Sequence, residues 1–489
     1  MLSLMMCSLL QRSVAAPCPV SNCAMPAAPA SAGPYGTYPS LPPPPPRTLS
    51  TVPLHPSVPE DAQRSGFVLS ASGRLLLPGS IQVTLVLNGS GYVTQCTLNV
   101  TFYEVHPDSG ELVRALTDTH VVDAAEWVLF DARAPRPCAA GLVGAAVDEA
   151  GGWLYYPVVA TLTGPTQYNQ YGREVARSSQ SVLLVRQISL DGSGGSRTVF
   201  QQDTSNSNSS VFGNGRLSSS IALSGPVDAS AGANASAAFL LLSPYETVSG
   251  LVLAVDLSGS GVVRARPVGL GVQATAWAVD QSTSSGTSTY DMYLLYQEGI
   301  QYDSNACREL ADMFAFQQTP LSLGSYSCSS WWVARDRGAA SAAAVATWPI
   351  STWTTWTSSA APPTTKAAAP PGVDVEIVPF TLTTTTWPGP AQLAAGSSLV
   401  YLSDVYRCQI LELDPTTAAA KVAAGYDGGG AGASGGGGCT RPVCSVFPSD
   451  GPATGNRAIA SPGRMAADGS GALVFVDETT GRLRRLGPA

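Results

Sequence analysis

The chain carries little charge. Asp, Glu, Lys and Arg make up 12% of its 489 residues, about half the usual share. Acidic groups outnumber basic ones 34 to 26, a net −8, which excludes a non-specific nucleic-acid binder. Histidine is scarcer still, with only His55, His106 and His120. His55 falls in a Pro-rich tail and the other two in one strand region, so three imidazoles from separate elements cannot form a zinc centre. No stretch of 18 or more apolar residues exists to span a membrane. No phosphate-binding glycine loop opens a helix, and no G-x-S-x-G elbow is set at a strand-to-helix turn; the Gly428–Gly438 run is plain low complexity. Helical periodicity is almost missing. Arg308–Phe314 is the only stretch that reads as a helical turn. A coiled coil or long-helix protein is excluded.

Gly (49) and Pro (38) are in excess, together about 18% against a usual ~12%. Part of the excess lies at the N-terminus. Met1–Leu10 is apolar and is followed by Val14 and Ala16, which fit the small-residue rule for signal cleavage, although the basic start of a signal peptide is missing. We expect a signal peptide over 1–16 and a Pro/Ala/Ser-rich disordered tail over 17–64. The run Pro42–Pro46 favours an extended, solvated polyproline II chain.

From about residue 66 short strands take over. Ile81–Leu87 and Cys96–Phe102 alternate and are rich in β-branched residues. Apolar strands recur at Trp153–Tyr156, Ser181–Val185, Ala238–Leu242, Leu251–Val255, Met292–Tyr296, Leu399–Leu402 and Leu473–Val476, with Gly/Asn/Asp turns between them. Low-complexity inserts fall near 203–218, 281–290, 336–372 and 426–448, where too little apolar surface exists to offset ordering entropy. We expect poorly ordered loops there. Trp348, Trp353 and Trp356 in the third insert either pack locally or form a binding patch.

Ten cysteines are present and no C-x-x-C. Cys18/Cys23, Cys307/Cys328 and Cys439/Cys444 are near neighbours, and with Cys96 and Cys138 they are the disulfide candidates. Removing a signal with Cys7 leaves an odd number, and Cys408 is then the expected unpaired thiol. Four glycosylation sequons, at Asn88, Asn99, Asn208 and Asn234, sit near turns. Together these features suggest a secreted or cell-wall location.

A repeat sets the fold. Asp148 precedes Tyr155 by seven residues and Asp468 precedes Phe475 by seven; Asp404 precedes Ile410 by six and Asp477 precedes Leu483 by six. Asp280 closes a similar segment, Ala276-Trp-Ala-Val-Asp280. Each unit reads strand, Gly turn, aromatic strand, polar turn, third strand, which is the mark of a repeat architecture. Ala394 stands where the seven-residue spacing predicts an Asp. These Asp residues are expected to accept turn N–H groups rather than bind ligand.

With these residues the chain resembles the NHL-repeat β-propellers, related to the YWTD and gluconolactonase-like six-bladed propellers. The resemblance is closest over 390–487, with Lys421–Gly425, Ser449–Thr454 and Ala460–Asp468 matching the linker between blades; residues 141–200 give a second match. The Pro-rich run resembles modules of plant and green-algal cell-wall glycoproteins. The resemblance implies an all-β propeller of about six, possibly seven, four-stranded blades over 65–489. It implies a non-enzymatic extracellular module binding a protein or glycan, with no cofactor, or a fragment of a larger receptor. The alternative it implies is a Ca²⁺-dependent lactonase or lyase, with Glu104, Asp148, Asp280 and Asp404 turned into a central channel.

Overall fold

The structure is a computed structural model. It describes residues 47–59, 62, 66–87, 92–123, 130–131, 138–142, 144–168, 170–171, 174–193, 195–203, 217–225, 236–244, 251–267, 274–281, 283–284, 287–288, 290–300, 328–348, 350, 375–384, 390–404, 408–417, 420–425, 448–454 and 458–487. The expected helical turn at Arg308–Phe314 lies outside them.

The strands form antiparallel sheets that follow one another along the chain. Blade 1 holds Val68–Leu69, Leu75–Pro78, Tyr92–Val105 and Leu112–Asp123, with Gln82–Leu87 alongside. Blade 2 holds Ala146–Asp148, Trp153–Tyr168, Glu174–Ser189 and Ser196–Asp203, with Cys138–Leu142 extending its inner edge. Blade 3 holds Leu217–Leu223, Phe239–Pro244, Leu251–Asp256 and Val263–Pro267. Blade 4 holds Ala274–Asp280, Asp291–Ile300, Cys328–Asp336 and Val375–Thr384. Blade 5 holds Pro390–Gly396, Leu399–Asp404, Gln409–Leu413 and Ala420–Gly425. Blade 6 holds Pro462–Ala467, Leu473–Asp477 and Arg482–Leu486; its fourth strand is Thr48–Thr51 from the other end of the chain, with Gly451–Pro452 paired at its edge. Besides one two-stranded hairpin, the described residues form six sheets of four or more strands, and the fold is a β-propeller.

The packing explains the sequence pattern. Both faces of a blade are covered by neighbours, so strands are apolar at every position instead of every second one. In Leu473–Asp477, Leu473 and Phe475 enter the core shared with blade 5, while Val474 and Val476 enter the core shared with blade 1. In blade 5, Val400 and Leu402 face blade 4 and Tyr401 faces blade 6. Six such cores lie between successive blades, and the sixth joins blade 6 back to blade 1. The alternating segments in blade 1 are those with one free face: Val83 and Leu85 pack inward while Gln82, Thr84 and Val86 are exposed.

The ring closes through main-chain bonds. Leu49 pairs with Leu486 and Ser50 with Arg485. Arg47 then reaches blade 5, donating to Glu412 at 2.8 Å, the Tyr401 hydroxyl at 3.1 Å and the Gly471 carbonyl at 2.9 Å. Val52, Val58 and Ala62 are buried between blades 6 and 1. Residues from Arg47 onward, within the expected tail over 17–64, are therefore part of the ring. Four residues of Thr, Leu and Ser carry too little pattern to read as a strand, because their partner is at the far end of the chain.

The expected loop at 336–372 also needs correction in its first part. Ser341 caps a short helix, Ala342–Ala346, through its side-chain oxygen. Ala339, Ala340, Ala342, Val345 and Trp348 fill the core between blades 3 and 4. A run of small residues that looks like low complexity fits here because it lets the chain pack closely. Trp348 is a packing residue; Trp353 and Trp356 lie outside the described residues. Likewise Thr283–Ser284 and Thr287–Ser288 pair as a short hairpin within the expected loop at 281–290.

Blades 1 and 2 share a fastened seam. Cys96 and Cys138 are disulfide-bonded, with Cα atoms 6.5 Å apart. Beside them Arg186 donates to both Asp118 oxygens, at 2.9 and 2.7 Å, and the Tyr156 hydroxyl donates to Asp118 Oδ2. Burial raises the Asp118 pKa, but hydrogen bonds from Arg186, Tyr156 and Ser196 and the Arg186 charge together hold it below the ordinary carboxylate value.

Candidate functional site: the axial channel

The six innermost strands surround an axial cavity of ≈ 150 Å³. Its wall draws on all of them: 67–71, 145–147, 221–223, 277–281, 392–396 and 464–469. The strands run in the same direction, so their beginnings meet at one rim and their ends at the other. Most of the lining is small or apolar, including Ala146, Val147, Leu223, Ala278 and Ala394. Small residues are needed near an axis where six strands crowd together.

The end rim carries carboxylates that are engaged in holding the ring. Asp148 accepts the Gly151 N–H at 2.9 Å within its own turn and the Ala237 N–H of blade 3 at 3.1 Å. Burial raises its pKa, opposed by these backbone bonds. Asp280 accepts the Ser398 N–H of blade 5 at 3.1 Å. Ser397 and Ser398 are both left-handed, with φ 54° and 62°, so Asp280 secures a tight two-residue turn. Asp468 accepts from the Ser470 and Ala472 N–H groups at 2.8 and 3.0 Å. Asp477 and Asp404 lie at the other end of their blades, because they close the antiparallel second strands and pair with Pro462 and Pro390, where the inner strands begin. There Asp477 accepts the Ala460 N–H at 2.9 Å, and Asp404 is fully buried.

The register corrects the reading of Ala394. It pairs with Tyr401, as Ala146 pairs with Tyr155 and Met465 with Phe475. The blade 5 hairpin turn is shorter, so a fixed seven-residue spacing points to the wrong position. Gly396 ends the strand instead. A Cβ there would stand 2.8 Å from the Asp468 carbonyl oxygen and 2.9 Å from the Ala467 Cβ of blade 6, so the close approach of two inner strands selects glycine.

Of the four carboxylates considered for Ca²⁺, only Asp280 lines the cavity. Glu104 sits in blade 1, gripped by Arg74 at 2.8 and 3.0 Å and by Arg114 at 2.9 Å. Among the described residues no group of three or more His, Cys, Asp or Glu is arranged to hold a metal. His55 and His106 each accept a backbone N–H two residues on, at 3.2 and 3.3 Å.

The opposite rim holds the residue the sequence left unmarked. Arg464 enters from blade 6 and reaches Gly144 of blade 2 and Ile221 of blade 3. A Cβ on Gly144 would stand 2.9 and 3.3 Å from the two terminal guanidinium nitrogens, and 3.1 Å from Ile221 Cδ1. Blade 3 stands opposite blade 6 in the ring, so the guanidinium crosses the channel. Part of Arg464 is accessible, yet close packing desolvates it and pushes its pKa down to about 10; it stays charged at neutral pH. The only signal in the sequence is one Arg within Pro462-Gly-Arg-Met-Ala-Ala467.

The cysteine expectations divide. Cys408 is disulfide-bonded and buried, which overturns its assignment as the unpaired thiol. Cys18, Cys23, Cys307, Cys439 and Cys444 lie outside the described residues. Cys328 lies in a blade 4 strand, paired with Ile300. Among the sequons, Asn99 lies in the middle of a blade 1 strand and accepts from the Thr119 hydroxyl at 2.8 Å; Asn88, Asn208 and Asn234 lie outside the described residues. Among the described residues no helix is long and apolar enough to cross a membrane.

No family model and no curated protein sequence matches the chain. Several solved structures are similar at low identity. An auxiliary nutrient binding protein from Bacteroides thetaiotaomicron is 9% identical, covering 90% of this chain and 76% of its own, with a TM-score of 0.32. A calcium structure of a Trichoderma reesei carbohydrate-active enzyme of family AA12 is 11% identical, covering 91% and 98%, with a TM-score of 0.34. The PQQ-bound aldose sugar dehydrogenase of Streptomyces coelicolor is 12% identical, covering 90% and 98%, with a TM-score of 0.30. At these scores the likenesses carry no argument about activity.

Proposed function

We propose that the chain is a non-enzymatic, extracellular propeller of the NHL type that binds a protein or glycan through the loops of its faces. The observation that supports this is the use of the inner-strand carboxylates. Asp148 and Asp280 hold backbone N–H groups of another blade, and Asp468 closes its own turn. A lactonase-type centre needs such groups converging on a metal in the channel. The Cys96–Cys138 disulfide supports an oxidising compartment.

The test compares retention of the folded chain on immobilised cell-wall polysaccharides and secreted host proteins, with turnover of sugar lactones measured in parallel. Saturable retention, weakened by removing residues 352–372 beyond the packed Trp348, is the expected result. Ca²⁺-dependent turnover abolished by a chelator, without saturable retention, overturns the proposal.

A further inference from the structure

The strands of blade 1 are longer than those of blade 6. Tyr92–Val105 has 14 residues and Leu112–Asp123 has 12, against 5 each for Leu473–Asp477 and Arg482–Leu486. The core between the two blades takes Tyr103, Val105 and Leu112 from these strands, which then run on beyond it. In the extension, successive residues point to opposite sides. Cys96, Leu98 and Val100 pack inward with Cys138, Val158 and Ala160 of blade 2. The other side forms rows across three strands, Thr84, Thr97 and Val121 in one and Gln82, Asn99 and Thr119 in the next. Thr97 and Asn99, on the central strand, are partly accessible and the other four are exposed. Val121 is 44% exposed and Val86, on the same side, 41%. Asn99 thus stands in the middle of an uncovered sheet face.

We propose that Asn99 is modified by an N-linked glycan, and that this glycan is what covers the face. Three observations carry the inference. Asn99-Val100-Thr101 is an acceptor sequon, and the register sets both of its polar residues on the uncovered side while Val100 is buried. The Thr119 hydroxyl donates to Asn99 Oδ1 at 2.8 Å. That bond occupies the amide oxygen and leaves Nδ2, which meets no acceptor among the described residues, as the atom to be modified. Cys96, on the same strand, is disulfide-bonded, and disulfides form in the oxidising compartments through which N-glycosylated chains pass. The proposal rests on the extracellular reading given above. The step joins Nδ2 to the anomeric carbon of a polyisoprenyl-diphosphate-linked oligosaccharide. The nitrogen–carbon bond forms as the carbon–oxygen bond to the diphosphate breaks; Nδ2 gives up one proton and the lipid diphosphate leaves. Nδ2 keeps its second hydrogen and Oδ1 its lone pairs, so the Thr119 bond is retained. No blade could close over Asn99 with a bulky glycan attached, and strands that outrun their neighbour supply a face where none does. A bare face with exposed valines invites association with another chain, which a solvated glycan prevents.

The experiment secretes the full chain from eukaryotic cells behind an appended secretion signal. Its peptides are treated with peptide N-glycosidase in heavy-oxygen water and read by mass spectrometry, which marks each glycosylated Asn by conversion to a labelled acid. Label at position 99 is the expected result. N99Q and T101V should each lose one glycan from the intact mass, and T101S, which keeps the sequon, should retain it. The mapping of the unsubstituted chain stands even where a variant fails to fold. Unlabelled Asn99 in the secreted chain, whether its face is then bare or taken by a second copy in sedimentation, overturns the proposal, as does an unchanged intact mass in T101V. Antibody detection of the natural protein in the medium and wall of its source cells tests the extracellular reading separately: a purely intracellular protein overturns that reading, while the label at position 99 decides the site.

Discussion

Leu49→Ala tests whether the segment after the Pro-rich stretch is part of the ring. Leu49 is 1% exposed and lies in the core between blades 5 and 6 with Leu486, Phe475 and Ile459. The substitution removes three carbon atoms from a packed site. Transfer alone is worth about 2.4 kcal/mol at ~0.8 kcal/mol per buried methylene, and the cavity left behind brings the total to about 2–5 kcal/mol. A residue in a solvated tail would change stability by no more than about 0.5 kcal/mol. The two outcomes are well separated. The assay is urea unfolding followed by intrinsic fluorescence, with Ser50→Ala as the control, because Ser50 is exposed on the same strand. Leu49→Ala should lower the midpoint with an unchanged slope, and Ser50→Ala should leave it in place. Equal midpoints for wild type and Leu49→Ala would refute closure by this strand.

Two further predictions concern the seam between blades 1 and 2. Asp118→Asn leaves the Arg186 charge buried without its carboxylate and should cost about 3–5 kcal/mol. Because Asp118 is held below its unfolded pKa, the wild type should keep this contribution above about pH 4 and lose it as pH falls through the folded value; acid unfolding of Asp118→Asn should lack that component. Replacing Cys96 and Cys138 together by alanine opens a crosslink between residues 42 apart, and loop entropy predicts a loss of about 4 kcal/mol. The melting temperature under non-reducing conditions checks this, and reducing agent should then have less effect on the variant than on the wild type.

How much was legible follows from the range of each signal. Leu473–Asp477 and Leu399–Asp404 announced themselves as strands because burial on both faces leaves a dense apolar run. The turn carboxylates were legible because Asp148 and Asp468 each serve an N–H only two to four residues away. Features made by distant residues were not. Thr48–Thr51 depends on a partner at the other terminus. Ala394 misled because counting along the chain cannot see that one hairpin turn is shorter than its neighbours. Ala339–Trp348 looked like low complexity because small residues serve loose loops and tight packing equally well. Arg464 shows its setting only when three blades are brought around one axis.

Closure of the ring has a consequence in time. Leu49 is among the first residues of the propeller to be synthesised, and its partner Leu486 is nearly the last. At roughly 5–20 residues per second, the ~440 residues between them take about 20–90 s to appear. Through that interval the first strand has no sheet to join, and each finished blade shows an uncovered apolar face to the next. Leu49 is the only large apolar side chain among Thr48, Leu49, Ser50 and Thr51. A waiting strand of that composition offers little for another chain to adhere to. Its modest character in the sequence, which hides it from pattern reading, is also what lets it wait.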